Sequence, residues 1–295
     1  MTATPHSVDE LRGFARKASG LTRNVSAWDA LIYNINAMGV LLVLPYATWG
    51  AGLYMGVDLP ATMLLLLPMS IPIALLFAYF SAAMPRTGGD YVWVSRCLHP
   101  ALGFMSNVLF SVVILSWIAL IPAWALQWGI APILTGLGVL NNDASMTTMA
   151  AQISSPVAVQ VFGLIYFITI ALIVVRGGKW TFRVEWGMFI LIALGTIAFI
   201  ASVIPGGFAS FQQRFDSMSG TTVAKVINNA LSAGYVKEVT LSGTILGTVF
   251  SALNLTGYFF SAYFSAEIKD VRKSQLIAIL GSLVALSAIM WVAYI

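Results

Sequence analysis

Apolar positions along this chain fall into long continuous runs rather than alternating or amphipathic ones, and that spacing predicts membrane-crossing helices. The runs lie at about 28–53, 59–83, 101–134, 157–175, 186–205, 243–266 and 275–295. Each is close to or beyond the ~20 residues that cross a bilayer core. Two are interrupted near their middles by polar residues and glycine: Asn34-Ile35-Asn36-Ala37-Met38-Gly39 in the first, and Asn254-Leu255-Thr256-Gly257 in the sixth. A helix broken inside a bilayer leaves backbone N–H and C=O groups without partners. That costs several kcal/mol per group unless the groups face a cavity or bind something. Paired breaks of this kind point to the substrate site of a secondary transporter. Taken singly, each also reads as a set of interhelical hydrogen-bonders and close-packing points.

Local signals refine the spans. Ser26-Ala27-Trp28-Asp29 matches a capping box at the start of the first span. Pro68 and Pro72 predict a kink in the second. The third is too long for a perpendicular helix and is expected to tilt strongly or to extend beyond the bilayer. Its approach, Tyr91 to His99, reads as a partly amphipathic lead-in. Between spans five and six, Val223, Val226, Ile227, Ala230 and Leu231 have helical spacing and predict a short amphipathic helix.

Composition agrees with the runs: 59% of residues are hydrophobic and only 9% charged, against roughly 25% charged in soluble domains. Residues 1–25 are polar and basic, with no apolar core of a cleavable signal, so the first span is expected to act as the insertion signal. Twelve of the fifteen Lys and Arg fall on one side of the expected topology. Arg12, Arg16, Lys17 and Arg23 precede span one, and Arg86 and Arg96 follow span two. Arg176, Lys179 and Arg183 follow span four, and Lys269, Arg272 and Lys273 follow span six. Only Arg214, Lys225 and Lys237 fall opposite, which places the N-terminus in the cytoplasm of a multi-pass cell-membrane protein. The external connections are then Tyr54–Asp58, about Thr135–Pro156, and Gly206–Ser242. Anionic lipid accounts for the net charge of +4 without any nucleic acid partner. The single cysteine, Cys97, reads as a small residue near a helix end.

Within these seven spans Asp29, at the edge of the first, is the sole ionisable acid or base; Glu185 and Glu267 lie just outside spans five and six. The last span has no lysine for a retinal Schiff base. There is no HExxH zinc motif, and neither His6 nor His99 has a cluster of further ligands, so no metal, cofactor or enzymatic activity is expected. A channel lined by backbone carbonyls remains an alternative.

Met84-Pro85-Arg86-Thr87-Gly88-Gly89-Asp90-Tyr91-Val92-Trp93-Val94-Ser95-Arg96, followed by Pro100 and Gly103-Phe104, resembles the connection between spans two and three of amino acid permeases of the amino acid–polyamine–organocation (APC) superfamily. Its Gly pair permits a tight turn, and Asp90 is placed to cap the next helix. Ala266-Glu267-Ile268-Lys269-Asp270 with Arg272 resembles that family's exit from span six, and Gly257 falls where the family has the glycine of its broken sixth helix. Gly177-Gly178-Lys179 with Glu185 is a weaker match at the opening of span five.

The resemblance implies two inverted five-helix repeats, with residues 1–27 as a cytoplasmic segment. The first repeat is 28–205, an external loop occupies 206–242, and the second repeat begins at 243–295. It implies a permease moving amino acids, neutral ones, by alternating access, with a proton or sodium as coupling ion. The carboxylate is expected on the backbone of Ile35, Asn36, Ala37, Met38 and Gly39, and the ammonium on carbonyls of Leu253, Asn254, Leu255 and Thr256 beside Gly257. Met38, Tyr258 and Phe259 are expected to select the side chain. The chain departs from the family's Gly-Ser-Gly-type break in span one, keeping only Gly39, and has Phe259 where an acidic residue is frequent. A polyamine or amine carrier is the alternative within transport, and a non-transporting channel or receptor-like protein the alternative outside it. The apolar run through Trp291-Val292-Ala293-Tyr294-Ile295 suggests the N-terminal portion of a transporter of at least ten spans, one that does not transport alone.

Overall fold

The computed structural model describes residues 23–40, 49–203, 206–236 and 238–294. Arg12, Arg16, Lys17 and Lys237, the part of the first span at 41–48, the end of the fifth at 204–205 and Ile295 lie outside the described residues.

Helix α1, Ala27–Met38, opens at the expected capping box. Ser26 Oγ accepts the Asp29 N–H at 3.1 Å while Asp29 Oδ2 accepts the Ser26 N–H at 3.0 Å. Two of the orphan donors of the first turn are thereby satisfied. The helix ends at Gly39, whose left-handed backbone (φ 66°) few other residues adopt. Residues 49–53 are again helical.

Helix α2, Leu59–Ala83, is apolar all round and continuous through Pro68 and Pro72. Its buried face is set by side-chain size rather than polarity: Thr62, Leu66, Ser70, Ala74 and Ala78 recur every four residues. Such a small-residue stripe lets another helix approach closely inside a membrane. That helix is α12, Val271–Tyr294, which buries Ala278, Ser282, Leu286 and Met290 and packs against both α2 and α1.

Between α2 and α12 lie α3, Asp90–Cys97; α4, Pro100–Trp124; a π-helical turn, Ala125–Ile130; α5, Ala131–Asn141; α6, Ala144–Ile153; α7, Pro156–Val175; α8, Gly178–Val203; α9, Gly207–Met218; α10, Val223–Ser232; and α11, Leu241–Leu255. Two 3₁₀ turns, Phe260–Tyr263 and Ser265–Glu267, follow α11. No strand is present among the described residues beyond two isolated bridges. Five helical rods are long and apolar enough to span a bilayer, and α11 is a shorter apolar helix. The two spans expected to be broken are those that do not form one long rod.

Two boundaries differ from the sequence expectation. The third span continues through the π turn to Asn141, a rod of 42 residues that at ~1.5 Å per residue is about twice the thickness of a hydrocarbon core. Much of the external connection expected at 135–156 is therefore helical: Asn142 takes a left-handed conformation (φ 53°) and Asp143 caps α6 through the Ser145 N–H. The fifth span begins at Gly178 rather than 186, which carries Glu185 inside α8. The amphipathic helix expected from Val223 onward is α10.

The described chain divides into two compact units: residues 1–90 with 185–295, and residues 91–184. In the second, α4 packs on α7, with Pro122 against the backbone at Gly163. The first contains the core, in which Ile35, Met38, Met63, Leu255, Tyr258, Ile279, Leu283, Leu286 and Met290 are buried together.

Both motifs that resemble the family turn out to hold the exit of span six. Val25 donates to the Glu267 carbonyl at 3.1 Å and accepts from the Lys269 N–H at 2.9 Å, a parallel bridge onto the segment entering α1. Gly88 donates to the Tyr263 carbonyl at 2.9 Å, and Ser265 Oγ to the Arg86 carbonyl at 3.0 Å. Asp90 begins α3 and its carboxylate receives the Tyr263 hydroxyl, so it ties the turn to span six.

Asn34 deepens the same junction. Its Oδ1 accepts the Ser261 N–H at 2.8 Å and its Nδ2 donates to Ser261 Oγ at 3.1 Å, while Ser261 Oγ donates to Gln275 Oε1 at 2.8 Å. Gln275 Nε2 returns a bond to the Ser261 carbonyl at 3.0 Å. All three side chains are fully buried. Replacing Asn34 by the similarly sized Leu strands the Ser261 N–H, at about 1–3 kcal/mol. The Asn34→Leu variant is expected to melt below the wild type in detergent; an unchanged melting temperature contradicts this network.

Candidate functional site

The two breaks meet. Helix α11 stops at Leu255, Thr256 turns extended, and Gly257 adopts φ 123°, a conformation open essentially to glycine alone. A Cβ at Gly257 would lie 3.2 Å from Met38 Cγ and 3.3 Å from the carbonyl carbon and oxygen of Ala37. The backbone at Gly257 thus rests on the last turn of α1, one residue before Gly39. The asparagines of both interruptions remain helical, and the chain turns at Gly39 and at Thr256–Gly257. Asn34 and Asn254 are interhelical hydrogen-bonders, the latter 3.3 Å from the Tyr294 hydroxyl, whereas Gly39 caps α1 and Gly257 turns the chain just past α11.

The candidate residues divide by exposure. Ile35, Met38, Asn254, Leu255, Gly257 and Tyr258 are buried; Asn36, Gly39 and Phe259 are half-buried; Ala37, Leu253 and Thr256 are exposed. Ile35, Met38, Leu255 and Tyr258 share one cluster, on which Phe259 packs. Phe259 stacks on Phe77 with ring centroids 4.2 Å apart and meets Tyr258 edge-on at 5.1 Å. The Tyr258 carbonyl accepts Ser282 Oγ at 3.2 Å. The breaks therefore present backbone and apolar side chains, with the Asn36 amide as the polar side chain at the end of α1.

Helix polarity bears on one expected role. Residues 35–38 are the C-terminal turn of α1, whose last carbonyls lack intrahelical partners and carry the negative end of the dipole. The Gly39 N–H is already used by the Asn36 carbonyl at 3.0 Å. This turn suits an ammonium rather than a carboxylate, as does the C-terminal turn of α11. Both half-helices offer the same sign because both run into their breaks from the N-terminal side.

Two features were less evident from sequence. Glu185, expected to flank span five, lies two helical turns inside α8 and touches α1: Asn36 Nδ2 donates to its carbonyl oxygen at 2.8 Å and to its Oε2 at 2.5 Å. The neighbouring Trp186 donates from Nε1 to Asp29 Oδ1 at 2.8 Å. Ser261 and Gln275 drew no attention because single polar residues in apolar runs are common. Among the described residues no cluster of His, Cys, Asp or Glu could hold a metal ion.

With this geometry in view, comparison with known proteins is decisive on family. The sequence profile of the family described as Amino acid permease matches residues 31–294. The chain belongs to the amino acid permease family. It is thus an all-α multi-pass membrane protein of a transporter family within the APC superfamily. No curated protein and no solved structure matches it. The match begins within α1 and ends at the last residue of α12, so this permease's two breaks and the cluster between them lie inside the family region.

The closeness of the permease's two breaks has a measurable consequence. Gly257→Asn places a side chain both in a forbidden backbone region and against Ala37 and Met38, at a cost of about 1–3 kcal/mol for the backbone alone. Gly39→Asn keeps a left-handed φ that Asn tolerates. Thermal unfolding is expected to rank Gly257→Asn well below Gly39→Asn; equal melting temperatures contradict the contact.

Proposed function

We propose that this permease carries neutral amino acids across the cytoplasmic membrane by alternating access, at a site between the break after Met38 and the break at Thr256–Gly257. The observation that carries the reading is the meeting of two half-helix C-termini, beside which Glu185 is engaged by the Asn36 amide. The carbonyls of Ile35, Asn36, Ala37 and Met38, and those of Leu253, Asn254, Leu255 and Thr256, suit the ammonium group. The backbone N–H groups of Gly257, Tyr258 and Phe259, which follow the end of α11, suit the carboxylate as hydrogen-bond donors. A zwitterion is then contacted directly by backbone groups of both signs. Met38, Tyr258 and Phe259 present an apolar wall for its side chain, and the apolar wall favours neutral amino acids over polyamines, which need an acidic partner at each end.

Alternating access follows from the same arrangement. A site between two interrupted spans can open to either side if one group of helices tilts against the other. Candidate coupling ions are the proton and sodium. Displacement of a bound radiolabelled neutral amino acid from the purified permease tests the substrate class. Neutral amino acids are expected to compete, and stronger competition by spermidine or lysine overturns the assignment.

The proposed orientation, N-terminus cytoplasmic, rests on the basic asymmetry. It places the exposed Cys97 inside and the exposed Ser217 outside. In intact cells an impermeant maleimide is expected to spare Cys97 and to label Ser217→Cys in a Cys97→Ser background. The reverse pattern contradicts the orientation.

A further inference from the structure

Glu185 is the acidic side chain that reaches the break in span one. It belongs to α8, is half-buried, and its carboxylate accepts from Asn36 Nδ2. Asn36 Nδ2 also donates to the Glu185 carbonyl, and two acceptors facing one end of the amide fix which end carries the hydrogens. The opposite end, Asn36 Oδ1, is buried and has no donor among the described residues. The lone acceptor lies on the last turn of α1, among carbonyls suited to an ammonium group.

We propose that Glu185 is a proton-binding residue that Asn36 links to the ligand's ammonium group, so that a proton on Glu185 and a substrate in the site oppose each other. This rests on the site proposed above. With Glu185 ionised, its charge-assisted bond holds Nδ2 and leaves Oδ1 as the open acceptor for an ammonium. The negative charge also attracts that ammonium through a poorly screened medium. With Glu185 protonated, both effects weaken, and the acid O–H competes for Oδ1 itself. Linkage is reciprocal: if ionisation favours substrate, substrate favours ionisation, and binding expels a proton from Glu185. Proton and amino acid are then coupled in the exchange sense.

The surroundings leave Glu185 as the group positioned for this. From α1, Tyr33 lies within reach of its charge and Asp29 is engaged by Trp186. On its own helix, Arg183 lies over the Trp180 ring, and neither Arg183 nor Lys179 forms an ion pair with Glu185.

The test is binding of a neutral amino acid to the purified full chain, followed calorimetrically from acid to neutral pH in two buffers of different ionisation heat. Affinity is expected to fall on acidification, with net proton release on binding. Glu185→Gln should bind with no pH dependence and no proton release, Glu185→Asp should keep both, and Asn36→Ala should show a shallower pH dependence with Glu185 still present. Wild-type binding that is independent of pH, or that takes up protons, overturns the linkage and leaves the site standing. A Glu185→Gln variant with the wild-type pH profile does the same. Absence of binding at every pH overturns the site, and the linkage with it.

Discussion

A backbone interrupted inside an apolar medium must find partners for the groups it frees, and the arrangement of this permease follows from how two interruptions meet. Gly39 caps α1 and Gly257 turns the chain just past α11, with the Gly257 backbone laid on Ala37 and Met38. Both ends free carbonyls, so neither supplies the other's missing donors. Packing secures the contact from outside. A stripe of small residues on α2 admits α12, and α12 in turn covers both α1 and the turns that follow α11.

Around that contact the polar side chains play two distinct roles. Asn34, Ser261 and Gln275 form a closed set of bonds in which the side-chain oxygens and nitrogens named above find partners. A set of this kind fixes register, as does the bridge of Val25 onto Glu267 and Lys269. Asn36, two residues further along α1, is different, because half of its amide is engaged and half is not. In a buried site an unmatched acceptor is costly. The proposed linkage to Glu185 rests on that open acceptor.

The sequence carried the fold far and the site only partway. Continuous apolar runs place helices because a bilayer demands length and hydrophobicity together, and the Ser26–Asp29 box marks the start of α1 because local capping needs no tertiary information. The ends were harder. Gly178 starts α8 earlier than the apolar run does, since Lys179 and Arg183 can lie at an interface without interrupting a helix. The rod to Asn141 passes through a π turn that no local pattern announces. Within the breaks, residue type alone could not say which polar residue stops a helix and which bridges two. Asn34 and Asn36 look alike in sequence, and only their partners, Ser261 and Glu185, distinguish them. Helix direction, which residue order in the break does not show by itself, puts the carbonyl end of α1 at Gly39.

The central claim is that the backbone of the two breaks recognises a zwitterion, helix-end carbonyls taking the ammonium and N–H groups beyond α11 the carboxylate. Binding of one neutral amino acid to the purified permease, compared with its decarboxylated amine and its deaminated acid, measures that directly at a single pH. Both analogues lose half of the dipole match, so both are predicted to bind much more weakly than the parent. An amine that binds as tightly as the amino acid would show that the carboxylate is not recognised, and would contradict the account.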